Sequence, residues 1–204
     1  MLSRYFFYSL LLIICGCAAM NESECRNADW QLIGFEDGSR GKAVSYIGQR
    51  RKACAEFNVV PDSERYEQGY AKGIQQYCTA AKGFRLGKSG GEYKGVCPAE
   101  YEGDFLSGYH LGRDIHTLQH QLSKINSKLS HKYDELEKLS KQVTQKEKII
   151  ISSKTTEKQR ASLLDDVKQL QNEIGQLESE VDHLEKKRLI TNHELKTLTE
   201  QSPF

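Results

Sequence analysis

The chain has 204 residues, 29 Lys and Arg against 28 Asp and Glu, and a formal net charge of +1. That balance holds in both halves and excludes a basic nucleic-acid surface, while the length allows one small globular domain plus an extended element. Glycine divides the two parts, since fifteen of the sixteen glycines lie at or before Gly112 and only Gly175 follows.

The N-terminus carries Arg4 ahead of an apolar run from Tyr5 to Ile14, too short to cross a bilayer and patterned as a secretory leader. Ile14-Cys15-Gly16-Cys17 closes it as a lipobox: an aliphatic side chain, then a small residue before the cut, then a thiol to alkylate. The sequence therefore predicts a signal peptide over 1–16, acylation of Cys17 and a lipidated linker over 17–24. Ala18 after the cysteine fits sorting to the bacterial outer membrane, so the expected location is lipid-anchored there, facing the periplasm, with the membrane as first partner.

Residues 25–112 read as a Gly- and Tyr-rich globular domain. Its four cysteines, Cys25, Cys54, Cys78 and Cys97, suit two disulfides in an exported domain too small to bury a large core. Of three pairings, Cys78 with Cys97 and Cys25 with Cys54 is preferred; no CxxC pair supports zinc. Three segments share the pattern Gly-aromatic-x-x-Gly: Gly34 to Gly38, Gly69 to Gly73 and Gly108 to Gly112. Trp30, Tyr66 and Phe105 precede them by three or four residues, on the same helical face as the first glycine. Asp62 and the early acid Glu64 start a helix carrying the second copy, with Cys78 at its end. A further helix is expected over about Lys42 to Phe57. Paired glycines four apart in helices point to close backbone approach. The alternative is a cleft walled by Trp30, Tyr66, Tyr70, Tyr77 and Tyr109 that stacks on a sugar or peptide. Between the second and third copies, the glycine density of Lys82 to Pro98 predicts a loop or short hairpin, anchored by Tyr93 and Val96.

Asp29-Trp30, Asp37-Gly38, Pro61-Asp62, Tyr77-Cys78, Gly83, Gly87, Tyr93 with Gly95-Val96-Cys97-Pro98, and Gly108-Tyr109, together with the glycines above, resemble a proteobacterial lipoprotein family, domain of unknown function 2799. The resemblance covers about Cys25 to Leu118. It implies a lipoprotein with paired cysteines, and no activity.

Residues 113–200 form the predicted coiled coil. Leu111, Ile115, Leu118, Leu122, Ile125 and Leu129 start one heptad seam, continued by Leu136, Leu139, Val143 and Ile150, with Lys132 and Lys146 at inward positions. A second seam, from Leu163 to Leu198, places Arg188 and Thr191 inward and is out of phase by three residues near 152–159. A continuous helix in a parallel dimer, a hairpin pairing Leu129 with Leu184 and Val143 with Leu170, or a single helix seeking another protein all fit. The continuous helix is preferred because Ser152 to Thr156 contains no Gly or Pro, and it would reach about 130 Å. The fold class expected is thus mainly α: a small disulfide-braced, Gly-rich helical domain with a short hairpin or loop, then a long coiled-coil helix or helical hairpin.

Function is less legible than location. Glu36, Asp37, Glu100, Glu102 and Asp104 could supply paired carboxylates for a hydrolase, but no nucleophile motif accompanies them. His116 and His120, four apart, fall on the outer face of the seam without a third ligand, and Arg50-Arg51-Lys52 reads as a solvated helix face. The sequence predicts no enzyme, no metal and no cofactor, with a homo-oligomer or a coiled-coil protein as partner and the cell wall as an alternative one.

Overall fold

The structure is a computed structural model describing residues 20–204; the leader, the lipobox and Cys17 lie outside the described residues. Among the described residues there are seven α-helices and no strand. The chain divides into two compact units, residues 20–79 with 94–102 and residues 80–93 with 103–204.

The first unit begins earlier than the expected linker boundary. Asn21 and Glu24 form a reciprocal capping box that starts α1 (Glu22–Arg26), Met20 is buried, and Cys25 is disulfide-bonded to Cys54. Asp29 caps α2 (Trp30–Ser39), which ends at Gly41 with φ +69°. The helix expected from Lys42 starts later, as a 3-10 turn (Val44–Tyr46) and α3 (Ile47–Ala55), because Ala43 is still extended. Asp62 caps α4 (Ser63–Tyr77), where the sequence places it.

α2 and α4 pack through their glycines. A Cβ on Gly38 would stand 2.7 Å from the Tyr70 carbonyl oxygen, and one on Gly34 would meet Tyr66 O closer still. Reciprocally, Gly69 and Gly73 face the carbonyls of Gln31 and Phe35. Residue numbers rise together on both sides, so the helices run parallel, and no side chain larger than hydrogen fits at the crossing. Parallel helices put two positive dipole ends side by side; the carboxylates of Asp29 and Asp62 sit at those ends and offset them.

The second unit repeats this device, and here the structure corrects the sequence reading. Ala80–Lys88 is a helix, α5, rather than a loop or hairpin; only the stretch after it, containing Tyr93 and Val96, is irregular. Gly83-Phe84-Arg85-Leu86-Gly87 is a fourth copy of the Gly-aromatic-x-x-Gly pattern. Its glycines face the carbonyls of Phe105 and Tyr109 on α6 (Ala99–Ile150), while Gly108 and Gly112 face those of Ala80 and Phe84. Packing therefore overrides the helix-breaking tendency that glycine density suggests. The ends match as well. Gly90 (φ +76°) follows Gly87 as Gly41 follows Gly38, and Tyr109 donates to Gly91 O at 3.1 Å as Tyr70 donates to Lys42 O at 2.8 Å. The Tyr77 ring lies over Gly41 and the His116 ring over Gly90. The second disulfide joins Cys78 and Cys97.

α6 passes through Gly112 without a break, so the change in composition there is not a break in the backbone. The preferred continuous rod is also corrected, because the chain turns at Ile151–Thr156 and α7 (Glu157–Gln201) returns antiparallel to α6. Ile125, Leu129 and Val181 form the seam's core with Leu136 and Leu184 against it, in the register of the hairpin alternative. Three observations explain the turn. Thr155 Oγ1 donates to Ile149 O at 2.5 Å, and Thr156 forms a capping box with Gln159, which replaces the missing Gly or Pro. The inward Lys146 and Lys132 meet Asp166 at 2.6 Å and Glu180 at 2.9 Å. Residues 113–150 hold eight bases and five acids, whereas α7 holds seven bases and ten acids, so each arm complements the other better than itself. The arm from 113 to 150 is about 57 Å long, under half the reach of the expected rod.

Candidate functional site

Three of the five aromatic residues that suggest a binding cleft are core. Trp30 and Tyr70 are buried and Tyr66 is 0 % exposed, because each lies beside a glycine crossing that draws the partner backbone against it. Tyr77 and Tyr109 are half-buried, with Tyr77 covering Gly41 and Tyr109 bonded to Gly91 O. No open stacking wall is left among these five rings.

One polar cluster is buried in the first unit. Asp37, at 0 % exposure, accepts from Lys42 Nζ at 2.9 Å, from Arg50 Nη2 at 3.2 Å and from the Tyr66 hydroxyl at 3.2 Å. The Lys42 ammonium also sits 3.9 Å from the Tyr46 ring centroid. Asp37 stands next to Gly38 in the chain, and its side chain reaches the Tyr66 hydroxyl of α4. A buried carboxylate is tolerated only when cations and donors replace its water. Burial first, then the Asp37 charge and hydrogen bond, push the Tyr66 phenol well above its ordinary value. Both Asp37 oxygens are thus bonded by groups of this chain, Oδ1 by Lys42 and Arg50 and Oδ2 by the Tyr66 hydroxyl, which ties α2 and α4 to the segment from Lys42 to Arg50.

The sequence reading does not find Lys42 or Arg50 as partners, and it leaves Arg50 on a solvated face. The available signal is Asp37 itself, a charge flanked by packing glycines that requires a cation nearby. Of the five acids weighed for a hydrolase, Asp37 alone is buried, and it faces cations rather than a second carboxylate. Glu36 pairs with Arg40 on the surface. His116 is not merely outward: its Nδ1 lies 3.2 Å from Lys88 O, against the C-terminal end of α5. Among the described residues no group of three or more His, Cys, Asp or Glu is placed to hold a metal ion.

The hairpin has a more open feature. Lys128, His131 and Lys132 of α6 and Ser179, Glu180 and His183 of α7 border a groove of about 670 Å³ floored by Leu184. Its edges are polar and its floor belongs to the apolar seam of the hairpin.

Two pairs of glycine-packed parallel helices, two disulfides and a helical hairpin define an all-α fold. Residues 29–114 match the family described as a protein of unknown function (DUF2799), so the resemblance visible in the sequence holds over that segment. No curated protein and no solved structure matches the chain.

Proposed function

We propose that the protein is a lipoprotein, acylated at Cys17 and held on the periplasmic face of the outer membrane, with a non-enzymatic role in which the α6–α7 hairpin holds a protein partner. The lipobox supports the anchor. Only three residues step from Cys17 to the buried Met20, at most about 11 Å of chain, so an acylated Cys17 keeps the first unit against the bilayer rather than on a long leash. The observation that carries the partner role is the groove along the hairpin, since the seam is closed within the chain and only its outer surface is offered. The cell-wall alternative has less support, since Trp30, Tyr66 and Tyr70 are buried.

The test places a photo-crosslinking amino acid at His131 and, separately, at Ser179 in cells, with mass spectrometry of the mature N-terminus. An adduct at twice the chain mass assigns a second copy, and any other mass a different protein. If neither position gives an adduct, the partner role falls; a mature chain without acyl groups removes the anchor.

A further inference from the structure

Residues 149–151 are three consecutive isoleucines, and they fall where α6 runs into the turn. Ile149 is 50 % exposed and Ile151 80 % exposed. The turn does not need them. It is closed by the Thr155 hydroxyl on the backbone carbonyl of Ile149 and by the Thr156 cap, contacts that any side chain at 149 and 151 leaves intact. Surface turns favour Gly, Asn, Asp and Ser, so bulky β-branched side chains at this apex gain nothing from the fold.

Their surroundings are cationic. Residues 147–160 contain Lys148, Lys154, Lys158 and Arg160 against Glu147 and Glu157. The three lysines are exposed, and Lys148 and Lys154 border a depression of about 670 Å³ beside Ile149 and Leu163. Leu164, on the facing arm, is exposed as well.

We infer that the tip of the hairpin is a reversible docking site for an anionic phospholipid surface, with Ile149 and Ile151 entering the interface and Lys148, Lys154 and Lys158 at headgroup level. Size and charge select this occupant. Two projecting isoleucines fall far short of the roughly 800 Å² a side of an ordinary protein interface, and they form a point rather than a complementary face. A bilayer interface accepts a small apolar projection without shape matching, and its anionic headgroups attract the surrounding lysines. The inference does not depend on acylation of Cys17.

The test uses the chain from residue 17 carrying Cys17→Ser, exported so that its disulfides form and free of any acyl group. It is sedimented with vesicles of phosphatidylethanolamine and phosphatidylglycerol, and with phosphatidylcholine vesicles. Binding is expected to the anionic vesicles alone, to weaken as salt rises, and to fall at least about tenfold in Ile149→Asn/Ile151→Asn and in Lys148→Glu/Lys154→Glu. Both pairs are exposed, so helix content by circular dichroism stays unchanged. Equal binding to both vesicles, no binding, or binding that survives both double substitutions overturns the proposal. So does a photo-crosslinker at Ile151 that captures a protein while vesicle binding is absent.

Discussion

Gly69→Ala is the sharpest test of the glycine crossings. The added Cβ would meet the Gln31 carbonyl oxygen and carbon well inside 3.0 Å, with the Phe35 amide nitrogen at 3.0 Å. Those atoms are backbone, so no rotamer change relieves the clash and α2 must move away from α4. Movement on the order of 1 Å also loosens the approaches at Gly34, Gly38 and Gly73, which use the same crossing. Overpacking of a core costs about 1–3 kcal/mol, and a rigid backbone neighbour puts this case near the upper end. Alanine returns up to about 1 kcal/mol of helix propensity, leaving a net loss of about 2 kcal/mol. Gly175→Ala provides the opposite sign: nothing lies within 4 Å of its Cβ, so it should stabilise α7 by about 0.5–1 kcal/mol. The single tryptophan, Trp30, is buried at the start of α2 and reports the first unit directly. In urea with disulfides intact, Gly69→Ala should lower the midpoint of the Trp30 fluorescence transition by about 1 M, from a slope of about 2 kcal/mol per M. A midpoint equal to or above that of the parent chain would refute the packing argument.

Asp37→Ala leaves Arg50 and Lys42 beside an apolar crossing without their carboxylate and should cost about 3 kcal/mol in the same urea assay, whereas Glu36→Ala, on the surface, should cost under 1 kcal/mol. The folded-state pKa of Tyr66 lies above its unfolded value near 10, so its contribution is present below about pH 10 and is lost as pH rises from there. Tyr66→Phe should reduce the alkaline loss of stability above about pH 10 at a cost of about 1 kcal/mol at pH 7, because Phe105 fills the equivalent place in the second unit without a hydroxyl. Lys146→Asp and Asp166→Lys should each lower the hairpin's thermal transition slightly, and the double swap should restore it. Both side chains are partly exposed, so the coupling in a double-mutant cycle should stay below about 1 kcal/mol.

What the sequence makes legible follows from how local each cause is. α4 is readable because its cap, Asp62, and its glycines lie within one helix. The hairpin register is readable because heptad positions are periodic, and Leu129 meets Leu184 as the alternative alignment requires. The choice between rod and hairpin is missed because the turn is made by hydroxyls, Thr155 and Thr156, which carry a weaker mark than Gly or Pro, and because the charge difference between the arms appears only when each helix is counted separately. α5 is missed for a different reason. A glycine-dense segment breaks a helix when alone and builds one when another backbone waits within contact, and the waiting backbone is α6, about twenty residues later in the chain. Trp30, Tyr66 and Tyr70, offered as part of a binding wall, are core for the same reason, since the crossing that hides the glycines also hides the rings beside them.

The disulfides fit the same topology, and their removal tests it. Parallel neighbours cannot be joined by a tight turn, so the chain must travel back along the pair before the second helix can start, through residues 40–62 between α2 and α4 and residues 89–98 between α5 and α6. Each cystine ties a residue ahead of the pair's first helix to that return segment: Cys25, in α1, to Cys54, and Cys78, at the end of α4, to Cys97. It therefore closes the loop whose ordering is the main entropic cost of a parallel crossing. The closures span 29 and 19 residues, each worth about 3 kcal/mol by restriction of the unfolded chain. Reduction should thus cost each glycine pair more than the hairpin, which is built from one antiparallel turn and contains no cystine. Cys25→Ser/Cys54→Ser should bring the Trp30 transition to markedly lower urea while the far-ultraviolet transition of the hairpin keeps its midpoint. If the two transitions move together, the crossings and the hairpin fold as one cooperative body, and the cystines act on the whole chain rather than on the loops they close.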